Sequence, residues 1–203
     1  MITDLKINRE WENAGLGLPG MTFLYDLVKK VKPTKILEVG FAEGMSSLAI
    51  LKALSENENG GHLTSIDPFQ KHCWRDVGNS NVANNNFSEN HTLLETYSCY
   101  ALPELIKNGE KFDFIFIDGS HLSDDLFVDQ YFASKLLNIG GHLLHDDYPS
   151  TPERLSQYPW MQGVKNACDF LESDYCFAKV EEFKFHRFSP LYEKIGEDKR
   201  VSA

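Results

Sequence analysis

The run Phe112-Asp-Phe-Ile-Phe-Ile-Asp118 limits what this chain can become more than any other segment. Residues 114–117 are apolar without alternation, as in a strand buried on both faces, and such a strand needs helices above and below it. Four further runs share its form: Lys35-Ile-Leu-Glu-Val-Gly40, His62-Leu-Thr-Ser-Ile-Asp67, the weaker His91-Thr-Leu-Leu-Glu-Thr96, and Gly141-His-Leu-Leu-His-Asp-Asp147. Stretches long enough for crossover helices separate them. One begins near Gly44 and carries Met45, Leu48, Ala49 and Leu51; another begins near Tyr100 and carries Leu102, Leu105 and Ile106. A third carries Leu122, Leu126, Ala133, Leu136 and Leu137. Strands alternating with helices predict right-handed βαβ units and a parallel sheet, an α/β fold.

The flanks are read in the same way. Pro19 and the apolar stripe Phe23, Leu24, Leu27, Val28 and Val31 predict a helix over 19–32. The aromatic tail, Tyr175–Val180 and then Phe183–Phe188, predicts two strands in an antiparallel hairpin at the sheet edge. The polar, asparagine-rich stretch 71–90 predicts a loop and a helix near the site. Gly15-Leu-Gly-Leu-Pro-Gly20 reads either as a flexible lid or as a simple N-terminal arm. No linker divides the chain, so one domain over 1–203 is expected.

Charge narrows the partners. Lys and Arg number 20 against 30 for Asp and Glu, a formal net charge of −10. A nucleic-acid partner is not expected, because phosphate contacts need a basic surface. No apolar run approaches the roughly 20 residues of a membrane helix. The N-terminus shows no apolar signal segment, and Cys73, Cys99, Cys168 and Cys176 form no close C-x-x-C pair. Reduced cysteines in a cytoplasmic protein are therefore expected; a homo-oligomer stays open.

The residues at the strand ends carry the chemistry. In an open α/β sheet, ligands sit at the carboxyl ends of the strands. Here those ends hold Glu38, Asp67, Asp118, Asp146 and Asp147. The loop Glu38-Val-Gly-Phe-Ala-Glu-Gly44 has Gly40 and Gly44 for tight turning and close ligand approach. A dinucleotide loop would read G-x-G-x-x-G, yet Ala42 stands at the middle glycine. Glu38 and Glu43 also put negative charge where a pyrophosphate would lie. A cofactor with cationic groups and no phosphate suits this loop better, although a plain strand-to-helix turn has the same form. Asp67 stands where a carboxylate about 20 residues beyond the loop accepts ribose hydroxyls; with Pro68 it also fits a helix cap. Asp118, Asp146 and Asp147 end neighbouring runs and could converge on Mg²⁺ or another divalent cation that prefers oxygen ligands. Alternatively, Asp118 caps the next helix and Asp146-Asp147 is a solvated loop.

Taken together, Leu37-Glu-Val-Gly-Phe-Ala-Glu-Gly-Met-Ser-Ser47, Ser65-Ile-Asp67, Phe112–His121 and Gly140–Asp147 make the chain resemble the class I S-adenosylmethionine (SAM)-dependent methyltransferases. More narrowly, it resembles small-molecule O-methyltransferases of the catechol, caffeoyl-CoA and macrolide-sugar types. The resemblance runs from about residue 33 to 150 and implies a Rossmann-like, seven-stranded, mostly parallel sheet whose last strand is antiparallel. It divides the chain into an N-terminal arm and helix (1–32), a cofactor-binding core (33–150) and a C-terminal helix and strands (151–203). It implies that Glu38, Gly40, Phe41 and Gly44 hold the methionine part of SAM, that Asp67 holds the ribose, and that Ser98 lies beside adenine. It also implies Asp118 at the cofactor, and metal ligation by Asp118, Asp146 and Asp147. His121 matches a histidine proposed as general base in the macrolide-sugar type. Asp146-Asp147 stands where catechol-type members carry Asp-Asn, and the large helical insertions of sugar-type enzymes are missing.

The implied reaction is methyl transfer from SAM to a hydroxyl of a small-molecule acceptor, with Asp118 and His121 as catalytic residues. A metal would lower the pKa of the acceptor hydroxyl, and His121 would take the proton; His121 could equally bond a helix-start backbone. Trp74, Trp160 and Tyr148 are candidates for walls around a planar acceptor, and His145 for packing. The alternatives are a SAM-binding regulatory protein without activity and, with poorer support, a metal-dependent hydrolase using His145, Asp146 and Asp118.

Overall fold

A computed structural model describes residues 2–10, 15–174, 176–183 and 187–197. Seven strands alternate with helices: β1 (Lys35–Val39), β2 (His62–Ile66), β3 (His91–Leu94), β4 (Phe112–Ile117), β5 (Leu137–His145), β6 (Phe177–Glu181) and β7 (Leu191–Lys194). The helices are α1 (Leu18–Val31), α2 (Met45–Asn57), α3 (Val77–Asn84), α4 (Ser98–Lys107), α5 (Ser123–Leu136), α6 (Pro152–Gln157) and α7 (Gln162–Asp174). The strands make one mostly parallel seven-stranded sheet, as expected, with helices between all but β6 and β7. By compactness the chain divides into two units, Met1–Tyr97 and Ser98–Ala203.

In the first unit the strand order is β3-β2-β1, all parallel, with Lys35 opposite His62 and Leu63 opposite His91. Ile36, Leu37, Leu63 and Ile66 are fully buried, which explains why these strands read as apolar runs. α1 packs on α2 through a stripe of Met21, Leu24, Leu27 and Val28. Met21 takes a core position that the sequence stripe assigned to Phe23 and Val31, both of which are half-buried. α1 begins at Leu18 and Leu16 is buried, so the 15–20 segment runs packed into the start of the helix.

In the second unit the order is β4-β5-β7-β6; β4 and β5 are parallel, and β7 alone runs against its neighbours. The tail thus departs from the expected edge hairpin. Its second strand is Leu191–Lys194, not 183–188, and it inserts between β5 and β6. Tyr175 and residues 184–186 of the expected strands lie outside the described residues. Ser189 explains the shift: its N–H donates to His145 O at 2.9 Å, and its hydroxyl accepts from His145 N at 2.9 Å. Phe188 is buried beside Phe116, ring centres 6.0 Å apart. No helix among the described residues is long and apolar enough to cross a membrane.

Candidate functional site

The glycine loop is built from three left-handed residues. Gly40 has φ 96° and Gly44 φ 76°, and Ala42 between them holds φ 46° without a glycine's freedom. Its neighbours hold it there. Asp67 Oδ2 accepts from Ala42 N at 2.7 Å and from Phe41 N at 3.1 Å, while Gln70 Nε2 donates to Ala42 O at 2.6 Å. Asp67 Oδ1 takes Phe69 N at 2.7 Å, so Asp67 both caps the turn after β2 and ties that turn to the loop. Phe41 is buried as a whole residue: its N–H is taken by Asp67, its carbonyl accepts from Gly44 N at 2.7 Å, and its ring lies 4.9 Å from the His91 ring.

Glu38 sits beneath the loop, fully buried. Its carboxylate accepts the hydroxyls of Ser46 at 2.5 Å, Ser65 at 2.6 Å, and Ser47. Burial pushes its pKa up to about 7, against the three hydroxyl bonds that lower it. Direct contact between Glu38 and a cofactor, as the resemblance implies, meets a carboxylate with no exposed surface. Ser46 and Ser47 open α2, so Glu38 joins β1, β2 and α2 in one polar knot.

The asparagine-rich stretch has a bracing role that its sequence did not disclose. Asn81 is fully buried; its side chain exchanges two hydrogen bonds with the backbone of Asn8 and donates to Glu43 O. Asn85 makes the same two-bond exchange with Lys6. Gly78, also in α3, lies against the loop: a Cβ there would come within 2.6 Å of Phe41 Cε1 and 2.7 Å of Ala42 O.

In the second unit, Asp118, His121 and Asp147 each present a ligand atom within 4.8 Å of the others. Asp118 follows the end of β4, and His121 lies two residues before α5. Asp146 continues the β4–β5 ladder through its N–H to Ile117 O at 3.0 Å. Asp147 then turns into the left-handed region, φ 55°, a conformation that aspartate tolerates better than most side chains. His121 Nε2 lies 2.9 Å from Asp147 Oδ2. Trp160 is 46% exposed and stands edge-on to His121, ring centres 4.6 Å apart.

Asp146, expected as a ligand with Asp118 and Asp147, is held by a residue that the sequence reading missed. Arg187 Nε donates to Asp146 Oδ1 at 2.8 Å, and its Nη2 lies 2.7 Å from Asp146 Oδ2 and 2.6 Å from Asp147 Oδ1. Burial raises the pKa of Asp118 well above the carboxylate range, and the charges of Asp146 and Asp147 add to it; Arg187 opposes. Burial opposes the charge on Arg187, but the three carboxylates hold it above its ordinary pKa.

The remaining candidates lie apart from this cluster. Ser98 opens α4, and its side chain hydrogen-bonds Asp129 of α5. His145 is fully buried, and burial pushes its pKa down to about 4, which fits packing and not proton transfer. Tyr148 lines a cavity of about 310 Å³ with Ser150, Thr151, Phe183, Phe188 and Pro190.

Comparison with known proteins bears on this arrangement. Residues 37–148 match the family model of a methyltransferase domain. An uncharacterised protein of Acanthamoeba polyphaga mimivirus is 24% identical over 166 residues, which is 79% of this chain and 69% of that protein. A Dictyostelium discoideum protein described as a probable caffeoyl-CoA O-methyltransferase is 30% identical over 126 residues, 60% of this chain. The match spans less than half of that relative, 46%. Among solved structures, the O-methyltransferase TomG from Streptomyces achromogenes, in complex with SAM, superposes with a TM-score of 0.72 at 20% identity, covering 92% of this chain and 84% of that one.

Proposed function

The chain belongs to the methyltransferase-domain family, and from that premise we propose that it transfers a methyl group from SAM to a hydroxyl of a small-molecule acceptor. SAM supplies an electrophilic methyl on a sulfonium and leaves as a neutral thioether, so orientation of the two reactants is the main requirement. Gly40 and Gly44 would let the cofactor approach the loop closely, and Phe41 would act from beneath as part of the loop's packing. An ionised carboxylate has about four acceptor positions; Asp67 uses three on loop N–H groups and keeps one for a ribose hydroxyl. Glu38 would act through the shape of the loop it braces, and Ser98 would stand beside the adenine.

The observation that carries the acceptor side is the His121–Asp147 contact at 2.9 Å. With Asp147 accepting from Nε2–H, the lone pair of His121 is on Nδ1, where it can take the hydroxyl proton. Trp160 against His121 offers a wall to a flat acceptor. Asp118 and Asp147 would offer oxygen donors to a divalent cation, which would lower the pKa of a hydroxyl bound to it; with His121 as the base, its one lone pair is not available to that cation. Asp146 is the less available ligand, because both of its oxygens face Arg187.

The test is turnover of SAM with a panel of phenols, catechols and hydroxylated sugars. Methylation of at least one acceptor by the native protein is expected, with loss of it in His121→Ala. Saturable binding of S-adenosylhomocysteine without turnover of any acceptor would favour a SAM-binding regulatory protein instead.

A further inference from the structure

Arg187 stands where the metal reading leaves no place for it. The segment 187–189 runs beside the end of β5, joined by Tyr148 N to Arg187 O at 2.5 Å and Ser189 N to His145 O at 2.9 Å. This ladder fixes the guanidinium against the two acids that follow β5. It forks onto both oxygens of Asp146 and reaches Asp147 Oδ1 at 2.6 Å with the same nitrogen that meets Asp146 Oδ2. Nε to Oδ1 is a charge-assisted hydrogen bond, the strong kind of arginine–carboxylate contact, and Nη2 adds close ion-pair contacts to Asp146 Oδ2 and Asp147 Oδ1. Asp147 is thereby shared: Oδ1 faces Arg187 and Oδ2 faces His121.

We propose that Arg187 is a tethered counter-cation that competes with a divalent ion for Asp147 and Asp146, so that the Asp118–His121–Asp147 cluster is neutralised without a metal and takes one up only by displacing the guanidinium. A divalent ion bound by these carboxylates shares the oxygens that face the guanidinium, and its charge repels the arginine at that distance. The same side chain that would weaken metal binding supplies positive charge beside Asp147. This deepens the reading of the acceptor side, and it does not depend on which hydroxyl is methylated.

The test is Mn²⁺ binding, followed by calorimetry and by loss of the free-ion electron paramagnetic resonance signal, in the native chain and in Arg187→Gln. Binding at least about tenfold tighter in Arg187→Gln than in the native protein is expected, each tenfold step being ~1.4 kcal/mol. Adding Asp147→Asn to the variant should remove that gain, which assigns the ion to this cluster. Equal affinity in the two proteins, weaker affinity in the variant, or no binding in either overturns the proposal, since removal of the competitor must free the ligands. Should Arg187→Gln not fold, Arg187→Lys carries the comparison, because lysine keeps the charge but not the fork: tighter Mn²⁺ binding than native upholds competition, and equal or weaker binding overturns it. Failure here leaves S-adenosylhomocysteine binding and methyl transfer untouched, so it is distinguishable from failure of the methyltransferase reading.

Discussion

His121 and Asp147 meet at 2.9 Å through Nε2 and Oδ2, although the histidine lies just before α5 and the aspartate just after β5. The contact fixes which ring nitrogen carries the proton, a decision set by the partner of the other nitrogen. It also ties the candidate base to the carboxylate that Arg187 holds from the other side.

Removing the base should separate chemistry from cofactor binding. His121→Ala is expected to lower kcat by about 10²–10⁴, the usual share of general base catalysis, with the S-adenosylhomocysteine dissociation constant unchanged. Steady-state kinetics beside calorimetry would show this; a kcat within about twofold of native would remove His121 from the mechanism.

Asp67 braces the glycine loop by accepting three backbone N–H groups. Asp67→Ala leaves the N–H groups of Phe41, Ala42 and Phe69 without their acceptor. A loss of about 1–3 kcal/mol per buried group left unsatisfied is the scale for such changes. Urea unfolding should therefore show a clear drop in midpoint, accompanied by weaker S-adenosylhomocysteine binding. Unchanged stability would mean that the loop holds its left-handed turn without Asp67.

Glu38 makes stability depend on pH. Its folded pKa is raised to about 7 from 4.5, so the folded state holds a proton that the unfolded state releases between those values. The contribution is therefore fully present below pH 4.5 and is lost as pH rises through about 7. A tenfold difference in proton affinity between the two states is worth ~1.4 kcal/mol, so the loss is on the order of 3 kcal/mol. Glu38→Gln cannot titrate, so its melting temperature relative to native should be higher at about pH 8 than at about pH 5. A constant difference between the two pH values would show that Glu38 keeps an ordinary pKa.

Gly78 is expected to be intolerant for a steric reason. A methyl group there meets the Phe41 ring and the carbonyl of Ala42 at distances that real Cβ atoms avoid. Gly78→Ala should cost about 1–3 kcal/mol, the range for overpacking, and should weaken cofactor binding by moving the loop. Denaturant titration with a parallel binding measurement checks both; native behaviour in each would refute the close approach.

Much of the sheet was legible because its signals are local. Each parallel strand is an apolar run that stops at an acid or a glycine, and the crossover helices after β1, β3 and β4 begin within a few residues of it, whereas α3 begins only at Val77. The glycine loop, Asp67 and the acids after β4 and β5 were found for the same reason. What stayed hidden depends on distant partners. Arg187 lies 41 residues beyond Asp146, in a tail whose aromatic pattern suggested a strand and nothing more. The position of β7 follows from Ser189 pairing with His145, which no periodicity encodes. The asparagines of α3 and its C-terminal cap act by copying backbone hydrogen bonds to residues 6 and 8, and a polar composition does not announce that. Ser46 and Ser47 did offer a signal: two hydroxyls at the start of α2, eight and nine residues after Glu38, suit a buried carboxylate.

The most direct measurement follows the methyl group itself. The native protein is incubated with SAM carrying a ¹³C methyl and with an acceptor from the hydroxyl panel, and the product is read by NMR. The expected result is a single labelled methyl on oxygen, formed together with S-adenosylhomocysteine. Label on nitrogen, sulfur or carbon, or no transfer to any acceptor while S-adenosylhomocysteine binds, would contradict O-methyl transfer.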